Sequence, residues 1–114
     1  MRELEKTKAF DDFFNSVSDR TQTKIEYIIE ILITQKVISQ KLVKHLTGTI
    51  FYELRISTEN ENRVLFFTLD NPNIIECERV LLLNGFIKKD TKDYKKQIQI
   101  AENILNEYQN GKEN

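Results

Sequence analysis

Two arginines and two lysines stand in this 114-residue sequence where strands would begin or end. Arg55 closes Phe51-Tyr52-Glu53-Leu54-Arg55, Arg63 opens Arg63-Val64-Leu65-Phe66-Phe67, and Lys88 and Lys89 follow Asn84-Gly85-Phe86-Ile87. If the first two segments are antiparallel neighbours, Arg55 and Arg63 flank one hairpin. Lys88 and Lys89 converge on them if a third strand pairs alongside. Such cations would hold a phosphate, and arginine would do so bidentately. Charge at the junction of a strand and a helix start is also fixed on rigid elements. From spacing alone the same residues read first as solvated strand-end charges paired loosely with Glu53, Glu59 or Glu61, since isolated charges at strand ends are common. Tyr94 either turns its hydroxyl to this site for proton transfer or staples a helix start onto the sheet.

Other chemistry is sparse. His45 is the only side chain that titrates near neutrality without perturbation, and beside Lys41 and Lys44 it reads as a surface or capping residue or as a base. The lone Cys77 excludes an internal disulfide and reads as a packing residue. One His and one Cys cannot build a multi-histidine or cysteine metal site. No P-loop, GxGxxG or Ser-His-Asp set is present, and three glycines are few for a phosphate cradle of backbone amides. The expectation is a site without metal or cofactor.

The elements that must carry these residues follow from hydrophobic spacing. Phe10, Phe13, Phe14 and Val17 lie on one face of a short helix. Ser18 or Asp19 caps a second helix running to about Gln35, with Ile25, Ile28, Ile29, Leu32 and Ile33 inward. Ser39 starts a third helical turn carrying Leu42, Val43 and Leu46, stopped by Gly48. Residues 49–57 form a strand with Ile50, Tyr52, Leu54 and Ile56 on one face. A polar turn at 58–62 leads to a second strand at 63–69. Asp70-Asn71-Pro72-Asn73 turns the chain into a long third strand over 74–87. The apolar run Val80-Leu81-Leu82-Leu83 marks that strand as central, covered on both faces. A last helix spans about 93–110 with Tyr94, Ile98, Ala101, Leu105 and Tyr108 in one stripe, and the tail from Gly111 frays. The order predicts one α+β domain over 1–114: a helical hairpin on a small antiparallel sheet of about three strands, with a C-terminal helix.

Composition agrees with an ordinary globular domain, with 39% hydrophobic and 31% charged residues. No apolar run approaches the roughly 20 residues that cross a bilayer, and residues 1–8 are charged rather than leader-like, so a cytoplasmic protein is expected. Net charge is −1, whereas proteins that grip nucleic acid over their whole surface carry a positive surplus. A local basic patch remains open at 88–96, where Lys88, Lys89, Lys92, Lys95 and Lys96 face only Asp90 and Asp93.

Taken in order, four segments resemble a known family. Lys44-His45-Leu46-Thr47-Gly48, Tyr52-Glu53-Leu54-Arg55, Arg63-Val64-Leu65-Phe66-Phe67 and Gly85-Phe86-Ile87-Lys88-Lys89 are followed by an amphipathic helix. This series is similar to the RelE/ParE superfamily of toxin–antitoxin toxins, and within it to the phage-derived, HigB-like branch. The resemblance covers residues 44–108. It implies a RelE-like fold and a type II toxin that cleaves mRNA without metal, often on the ribosome, and so inhibits translation. It also implies a cognate antitoxin as partner. By the same resemblance Arg55, Arg63 and Lys88 would stabilise the scissile phosphate, with Tyr94 a candidate for proton transfer. Lys44, His45, Lys89 and Lys92 would contact the RNA. Asn84 stands where the branch often has His. The superfamily also includes ParE-like inhibitors of DNA gyrase, so that activity and a non-catalytic binding module stay open.

Overall fold

The computed structural model describes residues 1–111. Its elements are β1 (Glu3–Lys6), α1 (Lys8–Ser16), α2 (Asp19–Thr34), β2 (Val43–His45), β3 (Phe51–Ser57), β4 (Glu61–Thr68), β5 (Arg79–Ile87) and α3 (Asp93–Gln109). Local chemistry sets the helix starts. Thr7 caps α1 by accepting the Phe10 N–H at 3.3 Å, and Ser18 caps α2 by accepting the Thr21 N–H at 3.2 Å. Asp19 then sits in the first turn, where the helix dipole favours an anion. At the end of α3, Gly111 takes φ 73°, the left-handed geometry that closes a helix. The rest of the tail expected to fray, residues 112–114, lies outside the described residues.

The five strands form one mixed sheet in the order β1-β5-β4-β3-β2. Only the β1–β5 pair is parallel. As its apolar run requires, β5 is interior, with Val80 to Leu83 all buried. Alternation along the strands splits the core into two layers. Leu54, Ile56, Val64, Phe66, Val80 and Leu82 meet Phe10 of α1 and Ile25, Ile28 and Leu32 of α2. On the other face, Phe51, Leu65, Leu81, Leu83 and Phe86 meet Ala101 and Leu105 of α3. Burying each such aliphatic or aromatic side chain contributes about 1.5–3 kcal/mol, so both faces of the sheet are driven shut.

A β-bulge in β5 redirects its end. Val64 pairs with Gly85 and Phe66 with Leu82, so Leu65 alone opposes both Leu83 and Asn84. The extra residue reverses the alternation beyond it. Phe86 therefore turns to the α3 layer, opposite Arg63, and Gly85 turns to α1. Only glycine fits there, because an added Cβ would lie 2.2 Å from Phe13 Cδ2.

Five strands replace the three expected from the sequence. β1 contains one apolar residue in Glu3-Leu4-Glu5-Lys6, so periodicity does not reveal it; pairing with β5 makes it a strand. Buried Arg2 fixes its start by donating to the carbonyls of Leu32, Gln35, Lys36 and Ile74. β2 replaces the expected helical turn after Ser39: Val43, Lys44 and His45 pair with Leu54, Glu53 and Tyr52, and this ladder overrides the helical spacing. Ile50 precedes β3 and is exposed, rather than joining its apolar face. The third expected strand starts late, at Arg79. Residues before it turn instead, with the Asn73 carbonyl accepting the Glu76 and Cys77 N–H groups.

Candidate functional site

On the α3 face, Arg55 of β3 lies directly opposite Arg63 of β4. Each follows a glutamate two positions earlier, because Glu53-Leu54-Arg55 and Glu61-Asn62-Arg63 repeat one pattern on the two strands. Period-two alternation puts all four charged side chains on one face. Like charges directly opposed in a sheet are destabilising, and Glu53 offsets this. Its Oε2 is 3.6 Å from Arg55 Nε and its Oε1 is 3.5 Å from Arg63 Nε. Both Glu53 and Arg63 side chains are 3% exposed, so this pair is shielded from solvent screening.

Helix α3 completes the cluster. Tyr94, its second residue, donates its hydroxyl proton to Glu53 Oε1 at 2.6 Å. The same hydroxyl accepts from Arg63 Nε at 3.1 Å. The other side of the guanidinium donates from Nη1 to the Asn62 carbonyl at 2.9 Å and to Glu61 Oε1 at 3.3 Å. Arg55 is half-buried, and its Nη1 reaches the Gln40 carbonyl at 3.5 Å. The Tyr94 ring packs edge-on against Phe86 at 5.4 Å, the contact that the β5 bulge makes possible. Lys88 Nζ lies 5.9 Å from the centre of the same ring, a cation–π distance.

These contacts set the electrostatics. Burial raises the Tyr94 phenol above its ordinary value, and its hydrogen bond to Glu53 adds to the effect. The phenol is therefore a neutral donor at physiological pH rather than a phenolate. Glu61 is held below the usual carboxylate range, first by the Ser57 hydroxyl and then by Arg63 and Lys88. The cluster is a mixed network of cations, carboxylates and one phenol, not a bare group of cations. It can hold a proton donor rigidly beside two guanidinium groups, which suits stabilising charge that develops on an oxyanion.

The other candidates are spread around it. Lys44 pairs across strands with Glu53, which puts it on the site face at the β2 edge, in solvent. His45 pairs with Tyr52 and so points to the opposite face. There its Nε2 lies 2.8 Å from the Thr49 carbonyl and its ring meets Tyr52 edge-on at 5.1 Å. Lys89 and Lys92 are exposed on the link from β5 to α3. The Lys89 and Asp90 N–H groups both donate to Asp93, which shapes this link at the mouth of the site. Asn84 is buried and donates to the Gln97 carbonyl and side chain at 3.1 and 3.0 Å, tying β5 to α3. Cys77 is buried among packing residues, as read from the sequence. Among the described residues, no three His, Cys, Asp or Glu side chains gather to hold a metal ion, and no helix is long and apolar enough to cross a membrane.

Glu53 is the member of the site that sequence reasoning placed only as a loose surface partner. The repeated Glu-x-Arg pattern was the available signal. Its burial depends on α3 covering that face, which neither strand reveals alone.

The family described as "Phage derived protein Gp49-like (DUF891)" matches residues 12–106. No curated protein matches the chain. Among solved structures, the intact E. coli RelBE toxin–antitoxin complex contains a chain of TM-score 0.57 and 12% identity; the match covers 79% of this chain and 100% of that one. The isolated E. coli RelE toxin gives TM-score 0.57 at 11% identity over 87% of this chain and 97% of that one. An arginine-to-alanine double mutant of E. coli toxin RelE in the free state gives 0.58 at 10% identity, over 86% and 95%. At such identities the likeness is one of fold.

Proposed function

We propose, from the premise that this chain belongs to the phage-derived Gp49-like family and has a RelE-like fold, that it is the toxin of a type II toxin–antitoxin system. In this reading it is a metal-independent endoribonuclease that cleaves mRNA, with or without the ribosome, and so inhibits translation. The observation that carries the reading is the opposed pair Arg55 and Arg63 with the Tyr94 hydroxyl lodged 3.1 Å from Arg63.

Cleavage through the ribose 2′-hydroxyl builds negative charge on the phosphodiester, and preorganised cations lower that barrier. The half-exposed Arg55 and Lys88 would grip the scissile phosphate, with Arg63 stabilising charge from beneath. To protonate a leaving oxygen, Tyr94 would turn its single hydroxyl proton away from Glu53 Oε1, with Arg63 Nε stabilising the phenolate until solvent returns a proton and the two arginines keeping Glu53 in place. Lys44, Lys89 and Lys92 would follow the RNA backbone on either side. His45, on the far face, would contact RNA only beyond the sheet edge. A cognate antitoxin is the expected partner, since an unchecked nuclease would damage the cell that makes it, and the cytoplasm is the expected compartment.

One observation favours a second reading. Arg63 is already paired with Glu53 and Glu61, which suits a protein that acts by binding, as an inhibitor of DNA gyrase or as a non-catalytic module. Controlled induction in a bacterium, following growth and transcript 5′ ends together, separates these. The comparison variant is Arg55→Ala with Lys88→Ala, both solvent-accessible and so compatible with folding. Growth arrest with new transcript ends, lost in the variant, is the expected result. Arrest without cleavage moves the assignment to gyrase, and folded protein without arrest moves it to the binding module.

A further inference from the structure

The rim of the arginine cluster carries a feature that the proposed chemistry does not use. Ser57 and Glu61 are cross-strand partners at the end of the β3–β4 hairpin. Ser57 Oγ donates to Glu61 Oε1 at 2.8 Å, and the same oxygen accepts from Arg63 Nη1 at 3.3 Å. Lys88 adjoins them: its backbone N–H donates to the Glu61 carbonyl at 2.7 Å, and its ammonium helps hold the Glu61 carboxylate ionised. A hydroxyl, a guanidinium and an ammonium thus surround one carboxylate.

These are the groups that a phosphodiester oxygen would seek. The two carboxylates of the network differ in one respect. Glu53 is 3% exposed and locked by Tyr94 and both arginines. The Glu61 side chain is 51% exposed and is held from one side. Of these two carboxylates it is the one that can rotate into water without leaving a buried charge unpaired, and in doing so it releases one of the two bonds made by Arg63 Nη1.

We propose that Glu61 is an intramolecular competitor for phosphate: its carboxylate occupies the Arg63 edge of the anion site and must swing out before an RNA backbone engages. This rests on the reading of the cluster as a phosphate site. The network holds Arg55, Arg63 and Lys88 against Glu53 and Glu61, a formal balance of three positive and two negative groups. Removing the Glu61 charge doubles the surplus and vacates one guanidinium edge.

The test is fluorescence anisotropy with a short RNA whose 2′-hydroxyls are all methylated, so that it binds without being cut. Glu61→Gln keeps the size and the acceptor for Ser57, and is expected to bind on the order of tenfold more tightly than wild type. Glu102→Gln, an equal charge change at an exposed site on α3, is expected to stay within about twofold, since a distant surface charge is screened. The proposal is overturned if Glu61→Gln binds no tighter than wild type, or no tighter than Glu102→Gln. The underlying phosphate-site reading is judged separately by Arg55→Ala with Lys88→Ala. Lost binding there with an unchanged Glu61→Gln removes only the competitor role, whereas unaffected binding removes both.

Discussion

The Tyr94 hydroxyl sits 2.6 Å from Glu53 Oε1, joining the start of α3 to the middle of β3 across 41 residues of sequence. That one contact closes the site, because Glu53 holds both arginines and Tyr94 receives the Nε of one of them. The link therefore serves stability and geometry together, and the two are separable by mutation.

Tyr94→Phe keeps the ring against Phe86 and under Lys88 but deletes the hydroxyl. Losing both hydrogen bonds of that hydroxyl, to Glu53 and from Arg63, is expected to lower stability by about 1–3 kcal/mol. Glu53→Gln breaks a buried ion pair and is expected to lower it by about 3 kcal/mol. Denaturant midpoints of both single variants and the double variant measure this. The double variant should fall short of the sum, because both changes remove the same contact.

Gly85→Ala places a methyl group into the Phe13 ring. Overpacking of this kind is expected to destabilise by about 1–3 kcal/mol. Adding Phe13→Leu should recover part of that loss. Thermal melting of the four combinations decides, and additive losses would show that Phe13 is not the obstacle.

Cys77 gives the fold an alkaline limit. Burial, followed by the hydrogen bond to Asp70, raises its thiol from the ordinary value near 9.0 to about 11. A raised folded-state value means the unfolded chain loses its proton first. Stability is thus complete below about pH 9 and declines as pH rises toward 11, by about 2–3 kcal/mol in total. Tyr94, raised in the same direction, adds to the decline at higher pH. Denaturation between pH 8 and 11 should show a shallower fall for Cys77→Ala than for wild type.

Arg2 gathers carbonyls from the end of α2 and from Ile74. Arg2→Ala leaves these acceptors without their donor and is expected to cost about 3 kcal/mol. Arg2→Lys should recover little, since one ammonium cannot reproduce a planar fork. Hydrogen exchange at the Thr7 amide, which donates to Leu82 at 3.2 Å, reports whether β1 has come away.

The helices were legible because their apolar spacing coincides with the surfaces they bury: Ser18 caps α2, and Ala101 and Leu105 face the sheet. β5 was legible from its unbroken apolar run. β1 and β2 were not, since four and three residues hold too little pattern and their strand form comes from distant partners. At the site, the opposition of Arg55 and Arg63 followed from hairpin register. The burial of Arg63 and the inward role of Glu53 did not, because both depend on a helix that begins 30 residues after Arg63. His45 shows the opposite limit: the resemblance grouped it with Lys44 as an RNA contact, and strand alternation turns the two side chains to opposite faces of the sheet.

Tyr94 follows every strand along the chain, so synthesis delivers the guanidinium and carboxylate groups before the phenol and the covering helix. A growing polypeptide that has released β4 carries Arg63 but lacks Tyr94 and Leu105, and with them the helix that covers that face in the finished fold. The order of the gene thus imposes a lag between making the charged groups and assembling them, and it confines the finished arrangement to molecules whose translation has passed α3.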